Sequence, residues 1–256
     1  MDRRAEIPQQ ENIISASHPG LSVWTRPQRR PRPALNRELI VSEAITLLDA
    51  EGMAALSMRT LGARLNAGAT SIYRHVATRD QLIELAVDAV YGEIAIPELA
   101  TAGQWRDAVT TCAESMREVI LRHPWIAEAL PGVGLAYLGP NVLRLNEFLL
   151  RVFDAAEFPR NETDTAISTV MGYVVGICLS EAAWLTTVAR SGADEQQLVD
   201  QLLPTLERIT SAHRRIGESI VARAESGIGA VRETKFRYGL ERILDGLATR
   251  LPGWAG

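Results

Sequence analysis

Apolar residues spaced by three and four dominate this chain, and that spacing fixes the class of structure it can form. Ile40, Ala44, Leu47 and Leu48 make one such stripe, and Leu82, Leu85, Ala86, Ala89 and Val90 make another. Leu240, Ile243, Leu244, Leu247 and Leu251 make a third near the end of the chain. A helix turns once every 3.6 residues, so each set falls on one helical face. Ala, Leu, Arg and Glu, all good helix formers, recur throughout. The expected class is all-α, with a 256-residue chain that is 46% hydrophobic and long enough to bury a substantial core.

Punctuation divides the chain. Pro8, Pro19, Pro27, Pro31 and Pro33 interrupt any helical period before residue 34, so residues 1–33 read as a flexible Arg/Pro-rich extension. Asn36 is a good N-cap for a first helix, and Gly52 suits a left-handed close to it. Ser57 can cap a short second helix with Met58, Leu61 and Leu65 inward. Asn66 and Gly68 then favour a tight turn, because both tolerate positive φ. A third short helix is expected over 70–76 with Ile72 and Val76 inward. Thr78 and Gln81 form a capping-box pattern that opens a fourth helix, ending before Pro97. Further helices are predicted at 103–122, 124–130, 139–156, 162–190, 194–223 and 231–250, with Pro or Gly in the loops between them.

Charge is uneven. Residues 24–80 hold nine arginines against five acidic residues, a surplus of four, so with a net charge of −4 the remainder carries −8. A basic N-terminal part on an acidic body suits a nucleic-acid contact confined to one end, although a solvated charged face would look the same. Cys112 and Cys178 lie in apolar helical patterns with no CxxC spacing, as expected of small buried hydrophobes in a reducing compartment. The four histidines are scattered, so no metal site and no cofactor is expected. No signal-peptide pattern is visible, and the longest uncharged stretch, Thr165 to Ser180, falls short of the roughly 20 residues of a membrane span. A cytoplasmic protein without a membrane partner is expected.

Residues 57–76 read as two short helices joined by a tight turn, the arrangement of a helix-turn-helix, whose second helix lies in the DNA major groove. With Ile72 and Val76 facing inward, Thr70, Ser71, Tyr73, Arg74 and His75 are left facing out. Arg74 can fork onto guanine, and Thr70 and Ser71 can reach bases or phosphates. Tyr73 and His75 can hydrogen-bond phosphates. A plain helical hairpin within an all-α domain shares this spacing. The arginines of the extension, Arg26, Arg29, Arg30 and Arg32, can enter the minor groove, where the potential is most negative; the alternative is a solubilising leader.

The stretch Leu56 to Val76, LSMRTLGARLNAGATSIYRHV, strongly resembles the DNA-binding signature of the tetracycline-repressor family. Leu56, Ser57, Arg59, Leu61, Tyr73, His75 and Val76 fill its pattern, and Asn66 stands where the family usually has Gly. Phe236, Gly239, Leu240, Glu241, Ile243, Gly246 and Leu247 resemble the C-terminal helix of the subfamily that contains the tetracycline repressor, as does the helix around Gly172 and Gly176. The likeness covers about residues 36–251. It implies a helix-turn-helix head over 34–80, a connecting helix over 81–96, and a ligand-binding and dimerisation domain over 97–256. It implies DNA contacts from Arg59, Thr70, Ser71, Tyr73, Arg74, His75 and Arg79, with Thr70, Ser71 and Arg74 near bases and the other four mainly on phosphates.

The same resemblance implies a homodimer on a palindromic operator, released by a small-molecule effector. Gly172, Gly176, Leu240, Ile243 and Leu247 are the expected dimer contacts, the two glycines permitting close helix approach. Cys112, Met116, Trp125, Leu130, Met171, Tyr173 and Trp184 are the expected pocket lining. Leu130, Ala95 and Cys112 stand where the tetracycline repressor has drug-binding histidines and an asparagine, so the implied effector is a different, apolar or aromatic molecule bound without metal. Two other readings stay open on sequence: a regulator that needs no ligand or that activates, and an all-α enzyme. The second lacks any G-x-S-x-G or metal context for its Ser, His and Asp residues.

Overall fold

The computed structural model describes residues 35–98, 102–126, 128–129 and 139–251. Every regular element among them is helical. The ten α-helices are α1 (Arg37–Glu51), α2 (Met58–Arg64), α3 (Ala69–Tyr73), α4 (Arg79–Tyr91), α5 (Trp105–Arg122), α6 (Pro140–Ala155), α7 (Thr163–Ser191), α8 (Glu195–Ile209), α9 (Arg214–Glu225) and α10 (Ile228–Ala248).

The first four helices start where the side-chain chemistry puts them. Asn36 Oδ1 accepts from Leu39 N–H at 2.8 Å, which satisfies one of the orphan donors of the first turn. Ser57 and Thr60 form a reciprocal capping box at the start of α2. Thr78 caps α4 through Gln81 N–H, and Gln81 Oε1 reaches past it to accept from Ala77 N–H at 2.7 Å. The turn between α2 and α3 takes positive φ at Asn66 (51°), whereas Gly68 is an ordinary extended N-cap. The small residue that the turn requires is Gly62, where a Cβ would lie 2.7 Å from the Ala67 carbonyl. Gly52 has φ +76° as expected, but its ψ of −179° lies outside the left-handed helical region, in backbone space open to glycine almost alone.

Two helices differ from the expected pattern. The third is shorter than 70–76, ending at Tyr73 with Arg74 as its C-cap. The long helix expected over 194–223 is broken into α8 and α9 by a turn at Thr210–His213, closed by His213 N–H to Thr210 C=O at 2.7 Å. Ile209, Thr210 and Ser211 are weak helix formers, and Thr210 Oγ1 donates back to the Leu206 carbonyl, so the break is local in origin. Folding back lets α8 and α9 pack on each other.

One apolar core runs through head and body. Ile40, Leu47, Leu61, Ile72 and Leu82 fill the head, and Met116, Leu149, Phe153, Val174 and Phe236 the body. Helix α7 lies between α5 and α10. It runs on to Ser191, eleven residues past the uncharged stretch, and is the one described helix long and apolar enough to cross a membrane by length and composition. Tyr173 on α7 donates to the Lys235 and Phe236 carbonyls at 3.0 Å, and its ring occupies the space a Cβ at Gly239 would need.

Helix α4 ties head to body. Asp88, almost fully buried, accepts from the N–H groups of Asn141 (3.0 Å) and Val142 (3.2 Å), so a side chain of α4 caps the start of α6. Asp49 of α1 accepts from the Trp125 indole at 2.7 Å and meets His123 Nδ1 at 2.7 Å, while His123 Nε2 faces Glu93 at 3.2 Å. Both ring nitrogens of this buried imidazole therefore face carboxylates from the head side of the joint.

Candidate nucleic-acid interface and effector site

Two residues of α3 and its exit, Ile72 and Val76, are clamped in the head core at 0% and 1% exposure. That anchoring turns the other side of the short helix outward. Thr70 and Arg74 are exposed, Ser71 and His75 are half-buried, and Tyr73 keeps 52% of its surface in solvent. Arg59 is exposed on α2, on the same head.

Part of the head's positive charge is spent internally. Of its five described arginines, Arg64 pairs with Glu43 and Glu51. Arg79 is not an open phosphate ligand: Nε donates to the Leu56 carbonyl at 2.9 Å and Nη2 to the Met53 carbonyl at 2.7 Å. Its fork braces the turn that precedes α2. Arg37, Arg59 and Arg74 are left without a carboxylate partner among the described residues. The four arginines of the extension, Arg26, Arg29, Arg30 and Arg32, lie outside the described residues.

The body does not gather the expected pocket residues. Cys112 and Met116 are closed within the core, and burial pushes the Cys112 thiol up to about 11. Trp125 is buried at the head–body joint with its indole committed to Asp49. Met171 and Tyr173 are half-buried against the core, and Tyr173 is engaged by α10. Leu130 lies outside the described residues. Trp184 alone of the seven borders the cavity of about 510 Å³ that opens between α7, α8, α9 and α10. The sequence missed this cavity because it depends on the break at Thr210–His213.

A charged network runs along one side of that cavity. Glu181, buried on α7, receives Arg117 of α5 through two hydrogen bonds (3.0 and 2.9 Å) and Arg232 of α10 at 2.9 Å. Arg117 continues to Glu233 at 2.6 Å and lies over the Phe236 ring. Arg232 also binds Glu195, which accepts the Trp184 indole N–H as well. Burial raises the Glu195 carboxyl, and the hydrogen bonds from Arg232 and Trp184 outweigh it, holding the group below the usual carboxylate range. Cys178, beneath Glu181, is pushed up to about 12 by burial and by that carboxylate.

The expected dimer contacts divide into two sets. Gly172 and Gly176 face open space. Leu240 is turned into the chain's own core with Phe236 and Leu244, and Ile243 and Leu247 are half-buried against it. Leu240 therefore belongs to the monomer's packing, because the 236, 240, 244 face of α10 is the one that meets α7.

Two family models match the chain. One, described as bacterial regulatory proteins of the tetR family, covers residues 40–86; the other, described as the tetracyclin repressor-like C-terminal domain, covers residues 96–251, more than half of the sequence. The chain belongs to the TetR family. It is 41% identical over 172 residues to an HTH-type transcriptional regulator of Saccharopolyspora erythraea, which covers 66% of this chain and 71% of that one. It is 30% identical over 222 residues to the HTH-type transcriptional repressor DrrR1 of Streptomyces coeruleorubidus, covering 87% and 80%. The TetR family protein ActR of Streptomyces coelicolor, solved in complex with actinorhodin, superposes with a TM-score of 0.69 at 27% identity, covering 88% of this chain and all of that one. As a TetR protein, the chain is a DNA-binding transcriptional regulator, and its helix-turn-helix lies within the N-terminal match.

Proposed function

We propose that this TetR protein is a repressor that holds a palindromic operator as a two-fold dimer and leaves it when a small organic molecule occupies the body. The observation that carries the reading is the outward row on α3, with Thr70, Tyr73 and Arg74 exposed over a core anchored by Ile72 and Val76. Thr70, Ser71 and Arg74 approach base edges; Arg59, Tyr73 and His75 hold phosphates. Arg79 acts from behind, by fixing the turn that presents α2. Residues 34–80 serve as the head, 81–96 as the connecting helix, and the remainder as effector and dimer domain. The open faces of Gly172 and Gly176 support α7 as the dimer surface. The names of the relatives and the actinorhodin complex of ActR support a ligand-relieved repressor that works by binding and not by catalysis.

The test is a titration of the purified chain against DNA from its own upstream region at two salt concentrations, with Arg74→Ala and Tyr73→Ala alongside. Saturable, salt-sensitive binding to one palindrome, weakened at least tenfold by either variant, is the expected result. Equal binding by wild type and both variants would refute the assignment of α3.

A further inference from the structure

The cavity between α7, α8, α9 and α10 has a volume of about 510 Å³, within the roughly 300–1,000 Å³ typical of small-molecule sites. Most of its wall is apolar, with Leu203 and Leu206 from α8, Ile220 from α9 and Val231 from α10. Trp184 contributes its ring and no donor, because Glu195 holds its indole N–H. One side is charged, and the charges do not balance. Arg223, Arg232, Lys235 and the carboxylate Glu181 line it, and Arg232 is taken up by Glu181 and Glu195, which leaves Arg223 and Lys235. Glu181 is already shared by Arg117 and Arg232. Among the described residues Arg223 and Lys235 have no carboxylate partner; the Arg223 Nε is used by the Ser219 carbonyl, and its terminal nitrogens are free.

We infer that this cavity binds an organic anion, a largely apolar molecule with one carboxylate, sulfonate or phenolate group set against Arg223 and Lys235. The inference rests on the ligand-relieved reading above and gives its effector a chemical class. Unpaired cations beside an apolar wall favour a ligand that has both parts. A small hydrated anion would gain the charge but lose its water against Leu203 and Ile220, and a neutral hydrocarbon would leave the cations unmatched. Arg232 belongs both to the cavity wall and to the network. An anion that draws on it bears on Glu181, and through Arg117 on α5.

Two fluorescent probes with the same ring system separate the contributions: the anion 1-anilinonaphthalene-8-sulfonate and the neutral N-phenyl-1-naphthylamine. Each is titrated into the full chain, with operator binding followed in parallel. The expected result is one site per chain, with the anion bound at least tenfold more tightly. Arg223→Gln with Lys235→Gln, both at exposed positions, should bring the anion to within about threefold of the neutral probe, whose own affinity holds. Leu203→Trp, which fills the cavity, should weaken both probes. Equal affinity for the two probes, indifference of the anion to the double variant, or indifference of both probes to Leu203→Trp would overturn the inference. So would loss of probe binding as chain concentration rises, which would make a second copy the occupant. Failure of the wild type to bind operator while these titrations succeed would instead count against the repressor reading alone.

Discussion

Arg79 and Arg74 lie five residues apart on one head and have different uses. Arg74 at the end of α3 has no partner among the described residues, so Arg74→Ala should weaken operator binding and leave the melting temperature within about a degree, as expected of an exposed site. Arg79 donates to two carbonyls across 23 and 26 residues of sequence. Its replacement by Ala should therefore cost about 1–2 kcal/mol of stability, since hydrogen bonds from a charged donor are worth about that much at a partly exposed site. Thermal melts of the two variants decide the matter. A normal melt for Arg79→Ala, with a salt slope reduced by about one, would return this residue to the phosphate contacts. The caps were legible from sequence because their partners lie within four residues, as with Asn36, Ser57 and Thr78. The bracing by Arg79 was not, because backbone carbonyls present no signature, and a family pattern records only that an arginine stands there.

Among the elements, α4 has the most consequential connections. Its N-terminal end is fixed to the head through Arg79, and its C-terminal half is fixed to the body through Asp88. A movement of α6 relative to the head must therefore pass through α4 or break the Asp88 cap. Asp88→Ala leaves the N–H groups of Asn141 and Val142 without an acceptor in a buried place, a loss of about 1–3 kcal/mol. Asp88→Asn keeps one carbonyl oxygen and should recover most of that loss. If α4 transmits the effector signal, Asp88→Ala should also bind operator while responding less to effector, which operator titrations with and without effector would reveal. Helix α10 offers a second check. Gly239→Ala places a methyl group where the Tyr173 ring lies, so it should force α7 and α10 apart and lower the melting temperature by several degrees. Apolar periodicity located nearly all the helices, because burial of one face is a local property of the sequence. It failed at 194–223, where Val199 is the one buried hydrophobic of α8 and none is buried on α9. With so little of either helix facing a core, the stripe could not mark the turn that separates them.

At the scale of the whole molecule, four helices that meet in the body are joined by charge as well as by apolar contact. Arg117 on α5, Glu181 on α7, Glu195 on α8 and Arg232 with Glu233 on α10 form one connected set, and Trp184 adds its indole to it. Removing one member strands the others in a partly buried place, so the network binds the effector domain into a unit more strictly than its number of ion pairs suggests. Its weakest condition is acid. Glu195 and Glu233 are both held below the usual carboxylate range; for each, burial raises the group and the arginine hydrogen bonds more than reverse it. A carboxylate whose folded value lies below its unfolded value adds stability above the unfolded value and loses it as pH falls through the folded one. The loss should therefore begin as pH drops below the ordinary glutamate value of 4.5 and continue until the folded-state groups are protonated. Glu195→Gln keeps the shape and gives up the titration. Melting temperatures measured from pH 7 down to pH 3 should fall less steeply for that variant than for the wild type, with the difference confined to the acid side of 4.5. Parallel curves across the range would mean that Glu195 titrates as it does in the unfolded chain, and that its pairing with Arg232 contributes nothing that protonation can remove.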